Sequence, residues 1–344
     1  MLIQELFGIE LPVIQAPMAG VQGSALTIAV SNAGGLGSLP CAMLSTQALR
    51  TELETIQKET NKPFNVNFFC HTPPEESAQQ EKKWREALSP FYDEYDIDQR
   101  EIPQGPGRAA FNEDTAALLK EFKPAVVSFH FGLPTSKLVA EVHSWGAKVL
   151  SSATTVEEAL WLEQQGVDGI IAQGLEAGGH RGIFLTDDIN TQVGTFALLR
   201  QVVNAVKVPV IAAGGIADAA GVEAALALGA AGVQVGTAYL LCPEANTSKI
   251  HREALKSQAV DNTALTNLFS GGPARGIVNR VMQELGPMST VTPAFPLATT
   301  AIAPLRAAAE AQGKGDFSPL WAGQNVTGCK EISAAQLTKE LAKG

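Results

Sequence analysis

Eight short apolar runs, separated by stretches with helical spacing, limit what this chain can fold into more than any other feature. The runs are PVIQAP (12–17), GLGSL (35–39), FNVNFF (64–69), AVVSFHF (125–131), KVLSSA (148–153), DGIIAQG (168–174), VPVIAAGG (208–215) and GVQVGTAYL (232–240). Their hydrophobicity is continuous rather than alternating, the pattern of strands covered on both faces of a parallel sheet. Between several of them lie amphipathic segments such as TTVEEALWLEQQG and DAAGVEAALALG, each ending in a glycine suited to a helix C-cap. Eight β/α units imply an α/β fold of the (β/α)8 TIM barrel type. A doubly wound sheet is the alternative, but the short, regular spacing from 125 to 240 fits closure into a barrel better.

Two segments break the rhythm. After the third run comes TPPEESAQQEKKWREALSPFYDEYDIDQREIPQGPGR, rich in charge and interrupted by Pro and Gly, which reads as a solvated surface excursion. After Cys242, the segments SKIHREALKSQ, FSGGPARGIVNRVMQEL and TTAIAPLRAAAEAQGKG look helical or looped, with no further convincing strand. The expected organisation is a barrel core over 1–242, a smaller helical region over 243–320 and a segment returning to the barrel over 321–344. The middle region either caps the barrel mouth, where lids exclude water, or packs extra helices on the wall. A chain of 344 residues, 45% hydrophobic, is long enough to bury such a core with a smaller attachment.

Charge and cysteine usage narrow the partners. A net charge of −10 argues against nucleic acid or an anionic membrane as partner, since both need clustered Lys and Arg. Cys41, Cys70, Cys242 and Cys329 are far apart in sequence and suggest neither a zinc site nor a disulfide framework, so a reducing cytoplasm is expected. The N-terminal MLIQELFGIELPVIQAPM carries acids and no basic cluster, unlike a signal peptide, and no apolar run is long enough for a membrane span. No H-x-x-x-H or HExxH spacing points to a metal, and no GxSxG to a hydrolase. A monomer or homodimer is expected.

In a TIM barrel the active site lies at the C-terminal ends of the strands, so polar residues and glycines there carry a functional expectation. The first run ends in Gln15-Ala16-Pro17-Met18, the third holds Asn65 and Asn67, and the sixth ends in Gln173 before the loop GLEAGGHRG. The last two end in Ala213-Gly214-Gly215-Ile216 and Gln234-Val235-Gly236-Thr237. Gly214, Gly215 and Gly236 let backbone N–H groups approach a phosphate, and Thr237 can add a hydroxyl. Asn67 and Gln173 carry the donor and acceptor edges that a heteroaromatic ring such as an isoalloxazine needs, although buried amides also serve backbone groups. His180 stands beside the predicted ligand loop and can move a proton near neutral pH. His130 is the next candidate, while His71, His143 and His251 read as loop or helix-surface residues.

QAPMAG (15–20), AQGLEAGGHRG (172–182), AAGGI (212–216) and QVGTAYL (234–240) together resemble the nitronate monooxygenase family, formerly called 2-nitropropane dioxygenases; GPARGIVN (272–279) and LWAGQ (320–324) extend the resemblance. It implies FMN in a TIM barrel. Ala16, Pro17, Met18, Asn67, Gln173, Gly178, Gly179, Gly214, Gly215, Gln234, Gly236 and Thr237 would surround the cofactor, and His180 matches the catalytic histidine. The implied reaction takes an alkyl nitronate, such as propionate 3-nitronate, or a nitroalkane with O₂ to a carbonyl compound and nitrite. His180 would act as general base on a neutral nitroalkane or hold the anionic nitro group of a nitronate. Arg181 and Arg275 are candidates for a substrate carboxylate, though surface ion pairing explains them more simply. The same loop also resembles flavin barrels that use NAD(P)H to reduce quinones or enoyl thioesters, and a barrel that only binds a phosphorylated ligand is the non-enzymatic alternative.

Overall fold

The computed structural model describes residues 2–102 and 109–343; the end of the charged stretch, 103–108, and residues 1 and 344 lie outside the described residues. In chain order the strands begin with β1 (Val13–Gln15), β2 (Gly37–Pro40), β3 (Phe64–Phe69), β4 (Val126–His130), β5 (Lys148–Ala153) and β6 (Gly169–Gln173). A short β7 (Gly179–His180) then leaves the main sheet, and β8 (Val210–Ala213) and β9 (Gly232–Val235) return to it. The parallel order is β1-β9-β8-β6-β5-β4-β3-β2. Its two outer members meet where Ile14 pairs with Leu36 and the Gln15 N–H donates to the Leu36 carbonyl at 2.9 Å. The sheet is therefore a closed (β/α)8 TIM barrel, as the eight runs implied.

Two runs are shorter as strands than as apolar stretches. Run 208–215 stops pairing at Ala213 because Gly214 and Gly215 take φ of 110° and 74°. Run 232–240 stops at Val235, and Thr237–Leu241 winds into a 3-10 turn. The helices Val156–Gln164 and Ala219–Ala227 end as their glycines suggested, with Gly166 and Gly229 at positive φ just beyond them. At the N-terminal end of the barrel the helix Ile3–Phe7 acts as a plug, packing Ile3 and Phe7 against Ile14, Leu36, Leu150, Ile171 and Ile211. A Cβ at Gly232 would collide with Ile3, so the glycine is what admits the plug. With that end closed, a cavity can open only at the other.

The region after Cys242 differs from expectation. Besides helices Lys249–Leu255, Arg280–Leu285 and Thr299–Ala311 it contains β10 (Thr263–Thr266) and β11 (Ala274–Ile277). These pair antiparallel with each other, and β11 pairs with β7, Ala274 opposite His180 and Arg275 opposite Gly179. Each strand is only four residues long and β11 carries Arg-Gly at its centre, so no local pattern marks it. The excursion after β3 is also more than solvated surface. Its helix Ala78–Glu94 buries Trp84, Leu88, Phe91 and Tyr92, which fall on one helical face, against the helix Thr299–Ala311. The Trp84 indole donates to the Ala298 carbonyl at 3.1 Å and the Tyr92 hydroxyl to that of Ala301 at 2.6 Å. Burying each such ring is worth roughly 1.5–3 kcal/mol. The chain then returns to the barrel, and helix Ala334–Leu341 packs between Ser24–Asn32 and Ala219–Ala227, the place of the eighth barrel helix. No helix among the described residues is long and apolar enough to cross a membrane.

Candidate active site

The strand ends at the open mouth carry a polar layer. The Ser38 N–H donates to Gln15 Oε1 at 3.0 Å, Asn65 Nδ2 donates to the hydroxyls of Ser38 and Ser128, and Asn67 Nδ2 donates to the Ser128 hydroxyl at 3.0 Å. Gln22 binds Gln15 at 2.7 Å and accepts from the Met18 N–H at 3.0 Å, which pins the loop Ala16-Pro17-Met18 against the cavity. Buried amides thus serve the barrel itself first. Asn67 spends its amino group on Ser128 and has its carbonyl oxygen left to offer a ligand.

The loop after β6 is shaped by two buried guanidinium groups. Arg181 is fully buried and donates to the carbonyls of Gly174 (2.6 Å) and Gln173 (2.7 Å) and to Gln192 Oε1 (3.0 Å). Arg275 donates to the Leu175 carbonyl at 2.9 Å. Burial, and then the charge of Arg275, push Arg181 down to about 10, so it stays a cation at neutral pH. Neither arginine is a surface ion-pair residue, and neither lines the cavity. Both expectations for them are corrected: the carbonyls of a glycine-rich loop needed donors, and these side chains supply them. Gln173 is likewise committed, its Nε2 donating to the His180 carbonyl at 2.9 Å and its Oε1 accepting from the Gly182 N–H at 2.8 Å.

His180 is presented by this loop and held by the strands from the C-terminal region. Gly179 turns at φ 72°, with open space where a Cβ would be, so its glycine serves conformation. Gly178 differs, because a Cβ there would press on the backbone of Ala322 and Gly323. The His180 ring nitrogen Nε2 lies 2.8 Å from the buried Ser270 hydroxyl. Around the ring stand Phe295 at 5.2 Å, Trp321 at 5.5 Å, and Phe69 and Phe131 each at 6.2 Å between centroids. Phe131 reaches this position with φ of 66°, a left-handed conformation costing roughly 1–2 kcal/mol for a residue of its kind. His130 also lines the cavity, its Nε2 3.1 Å from the His180 carbonyl and its Nδ1 3.1 Å from the Ser152 hydroxyl. Burial lowers it to about 4, so it is a neutral ring that donates from Nε2 and steadies the loop.

The opposite side of the cavity is built by the ends of β8 and β9. Gly214 and Gly215 are consecutive positive-φ residues, and Asn325 Nδ2 donates to the Gly215 carbonyl at 2.9 Å. Thr237 Oγ1 accepts from the Gly323 N–H at 2.9 Å and retains its own hydrogen to donate. Gln234 Oε1 is buried without a partner among the described residues, an acceptor waiting for a donor. Ala16, Pro17, Met18, Asn67, Gln173, Gly178, Gly179, His180, Gly214, Gly215, Gln234, Gly236 and Thr237 all line this single cavity.

Sequence reasoning missed several of its walls. Trp321 and Asn325 line it from beyond residue 242, and Ser270 and Phe295, which meet His180, come from the same region. Ser270 and Trp321 lay in segments already quoted, FSGGPARGIVNRVMQEL and LWAGQ, while Phe295 and Asn325 lay in none. His251 is not the surface residue it was expected to be: it is buried, lines the cavity and is lowered to about 4, mainly by burial. His71 lies in a loop, as expected, but its ring packs on Phe295 at 5.0 Å. His143 ends a helix and meets Asp168 at 3.0 Å.

The sequence model of the nitronate monooxygenase family matches residues 1–344. The chain belongs to that family. It is 42% identical to the nitronate monooxygenase of Paraburkholderia phytofirmans, over 98% of this chain and 92% of that protein. Against the nitronate monooxygenase of Pseudomonas aeruginosa the identity is also 42%, over 98% and 96%. Among solved structures, nitroalkane oxidase from Streptomyces ansochromogenes superposes with a TM-score of 0.89 at 37% identity, covering 99% of this chain and 96% of that one. Nitronate monooxygenases are flavin-dependent oxidoreductases, and the cavity suits a flavin. It offers unpaired buried polar atoms on Gln234 and His251, glycines at 214, 215 and 236 in its wall, and aromatic rings around a histidine.

Proposed function

We propose that the cavity binds FMN and that the enzyme oxidises alkyl nitronates, and more slowly their parent nitroalkanes, with O₂ to carbonyl compounds and nitrite. The observation that carries this is the placement of His180 in the wall of the same cavity as Gly215, Gly236 and Thr237. The N–H groups of the two glycines and the Thr237 hydroxyl would hold the phosphate. Gln234 Oε1 and the Asn67 carbonyl oxygen would accept from the flavin or its side chain. Bound there, FMN supplies the electron-transfer chemistry that side chains lack.

The chain's own residues do the rest. The rings of Phe69, Phe131, Phe295 and Trp321 exclude water and pack the alkyl part of the substrate. His180, oriented by Ser270, takes the α-proton of a neutral nitroalkane or hydrogen-bonds the nitro oxygens of a nitronate, which has already lost that proton. The barrel over 1–242 carries the cofactor. The region 243–320, together with the helix Ala78–Glu94, forms the cap that supplies Ser270 and Phe295, and 321–344 returns to the barrel. Four free thiols suit a reducing compartment, and we assign the enzyme to the cytoplasm. The test is to reduce the flavin anaerobically in parallel with a nitronate and with NAD(P)H. Bleaching by nitronate supports the proposal, whereas bleaching by NAD(P)H alone would make the protein a reductase.

A further inference from the structure

One histidine on the cavity wall has no part in the chemistry above. His251 sits in the first turn of helix Lys249–Leu255, its backbone N–H capped by the Ser248 hydroxyl at 3.2 Å, and only 4% of the residue is exposed. The Trp321 backbone lies beside the ring and favours its protonated form, against burial, while Nε2 has no partner among the described residues. With Nε2 unpartnered, the ring nitrogen left for the Trp321 backbone is Nδ1, and a hydrogen there leaves Nε2 the acceptor. The ring is neutral at pH 7, which leaves a lone pair on Nε2. A buried acceptor without a donor is costly, and such a group at a cavity wall is matched to a donor that arrives with the ligand.

The position of His251 narrows which donor that is. Trp321 and Gly323 belong to one strap across the mouth, with His251 beside Trp321 and the Thr237 hydroxyl bonded at Gly323. Thr237 belongs to the end of the cavity assigned to the phosphate, so His251 lies next along the ligand from it. A phosphate dianion has no hydrogen to give Nε2, and the dimethylbenzene edge of the ring has none either. The ribityl chain, joined directly to the phosphate, carries three hydroxyls. We propose that His251 Nε2, which has no partner among the described residues, accepts a hydrogen bond from a ribityl hydroxyl of FMN, which makes His251 a cofactor-binding residue. This rests on the FMN assignment above.

The test measures the affinity of the apoprotein for FMN, riboflavin and lumiflavin by flavin fluorescence, in the wild type and in His251→Phe. Lumiflavin has the ring without the hydroxyls or phosphate, and riboflavin has the hydroxyls without the phosphate. The expected result is a loss of about tenfold for FMN and riboflavin and none for lumiflavin, with His251→Gln, which restores an acceptor, recovering most of it. Three results would overturn the proposal: no change for any flavin, a loss for FMN alone, or an equal loss for all three. A wild-type protein that binds none of the flavins fails the FMN assignment instead. Should His251→Phe not fold, ¹⁵N-histidine NMR of the wild type decides: the unprotonated Nε2 signal of His251 must move when riboflavin is added, and a static signal contradicts the proposal.

Discussion

At the scale of single residues, His180 and Gly215 separate chemistry from binding. Ser270 holds the His180 ring at 2.8 Å, and in the proposed function the imidazole is the group that handles the proton. His180→Asn keeps a hydrogen-bonding side chain and loses the base. It is expected to retain FMN and to lose about 10²-fold or more in kcat/KM on neutral nitroalkanes, with a distinctly smaller loss on preformed nitronates. Steady-state rates on the two substrate forms check this, and equal losses would refute a role in carbon deprotonation. Gly215 has φ of 74°, and a Cβ there would stand 3.4 Å from Glu176. Gly215→Val strains that backbone and crowds the cradle, so FMN should dissociate at least about tenfold more readily; unchanged retention in equilibrium dialysis would move the phosphate elsewhere.

At the scale of elements, the loop after β6 is a structure in its own right. Its carbonyls at 173, 174 and 175 are all taken by buried guanidinium groups, so the loop is set before any ligand binds. Arg181→Met removes the charged donor from the carbonyls of Gln173 and Gly174, leaving Gly174 only the Ala177 N–H at 3.1 Å, and should cost about 2 kcal/mol or more, read as a fall in the urea midpoint. Flavin affinity should fall with it, because the displaced loop carries Gly178 and Gly179. Much of this scale was legible in the sequence. Parallel strands buried on both faces leave continuous apolar runs, and seven of the eight barrel strands lie inside the runs that predicted them, β2 passing the end of its run by one residue at Pro40. The roles of Arg181 and Arg275 were not legible, because an arginine beside a glycine loop looks exposed until the strands that cover it are in place. The three-stranded sheet escaped for a related reason: β7 and β11 pair across the chain, and neither is long enough to show an alternating pattern.

At the scale of the whole molecule, two segments far apart in sequence form one core above the barrel. Trp84, Phe91 and Tyr92 from the charged excursion pack with Leu268, Ile302 and Phe317 from beyond residue 242. The charge on the outer face of helix Ala78–Glu94 disguised its apolar face, so the excursion read as solvent-facing. The strand-end glycines and amides were legible because the barrel fixes where strand C-termini point. His251 was not, since its burial depends on the returning strap. Its burial and that of His130 give the fold a pH signature. Each has a folded pKa near 4, below the ordinary value of 6.5, so it is neutral in both states above about pH 6.5. Between about 6.5 and 4 the unfolded chain binds protons that the folded one refuses, so stability falls with pH by up to about 1.4 kcal/mol per unit for each histidine. Urea midpoints at pH 7.5 and 5 should show the loss, and His251→Phe should reduce its size.

The central claim is that a flavin and His180 share one cavity for nitronate oxidation, and anaerobic reduction tests it most directly. Purified or FMN-reconstituted protein should be yellow and should bleach when an alkyl nitronate is added without oxygen, then regain its colour and release nitrite when O₂ is admitted. A protein that takes up no flavin, or whose flavin ignores nitronate and is bleached by NAD(P)H, would contradict it.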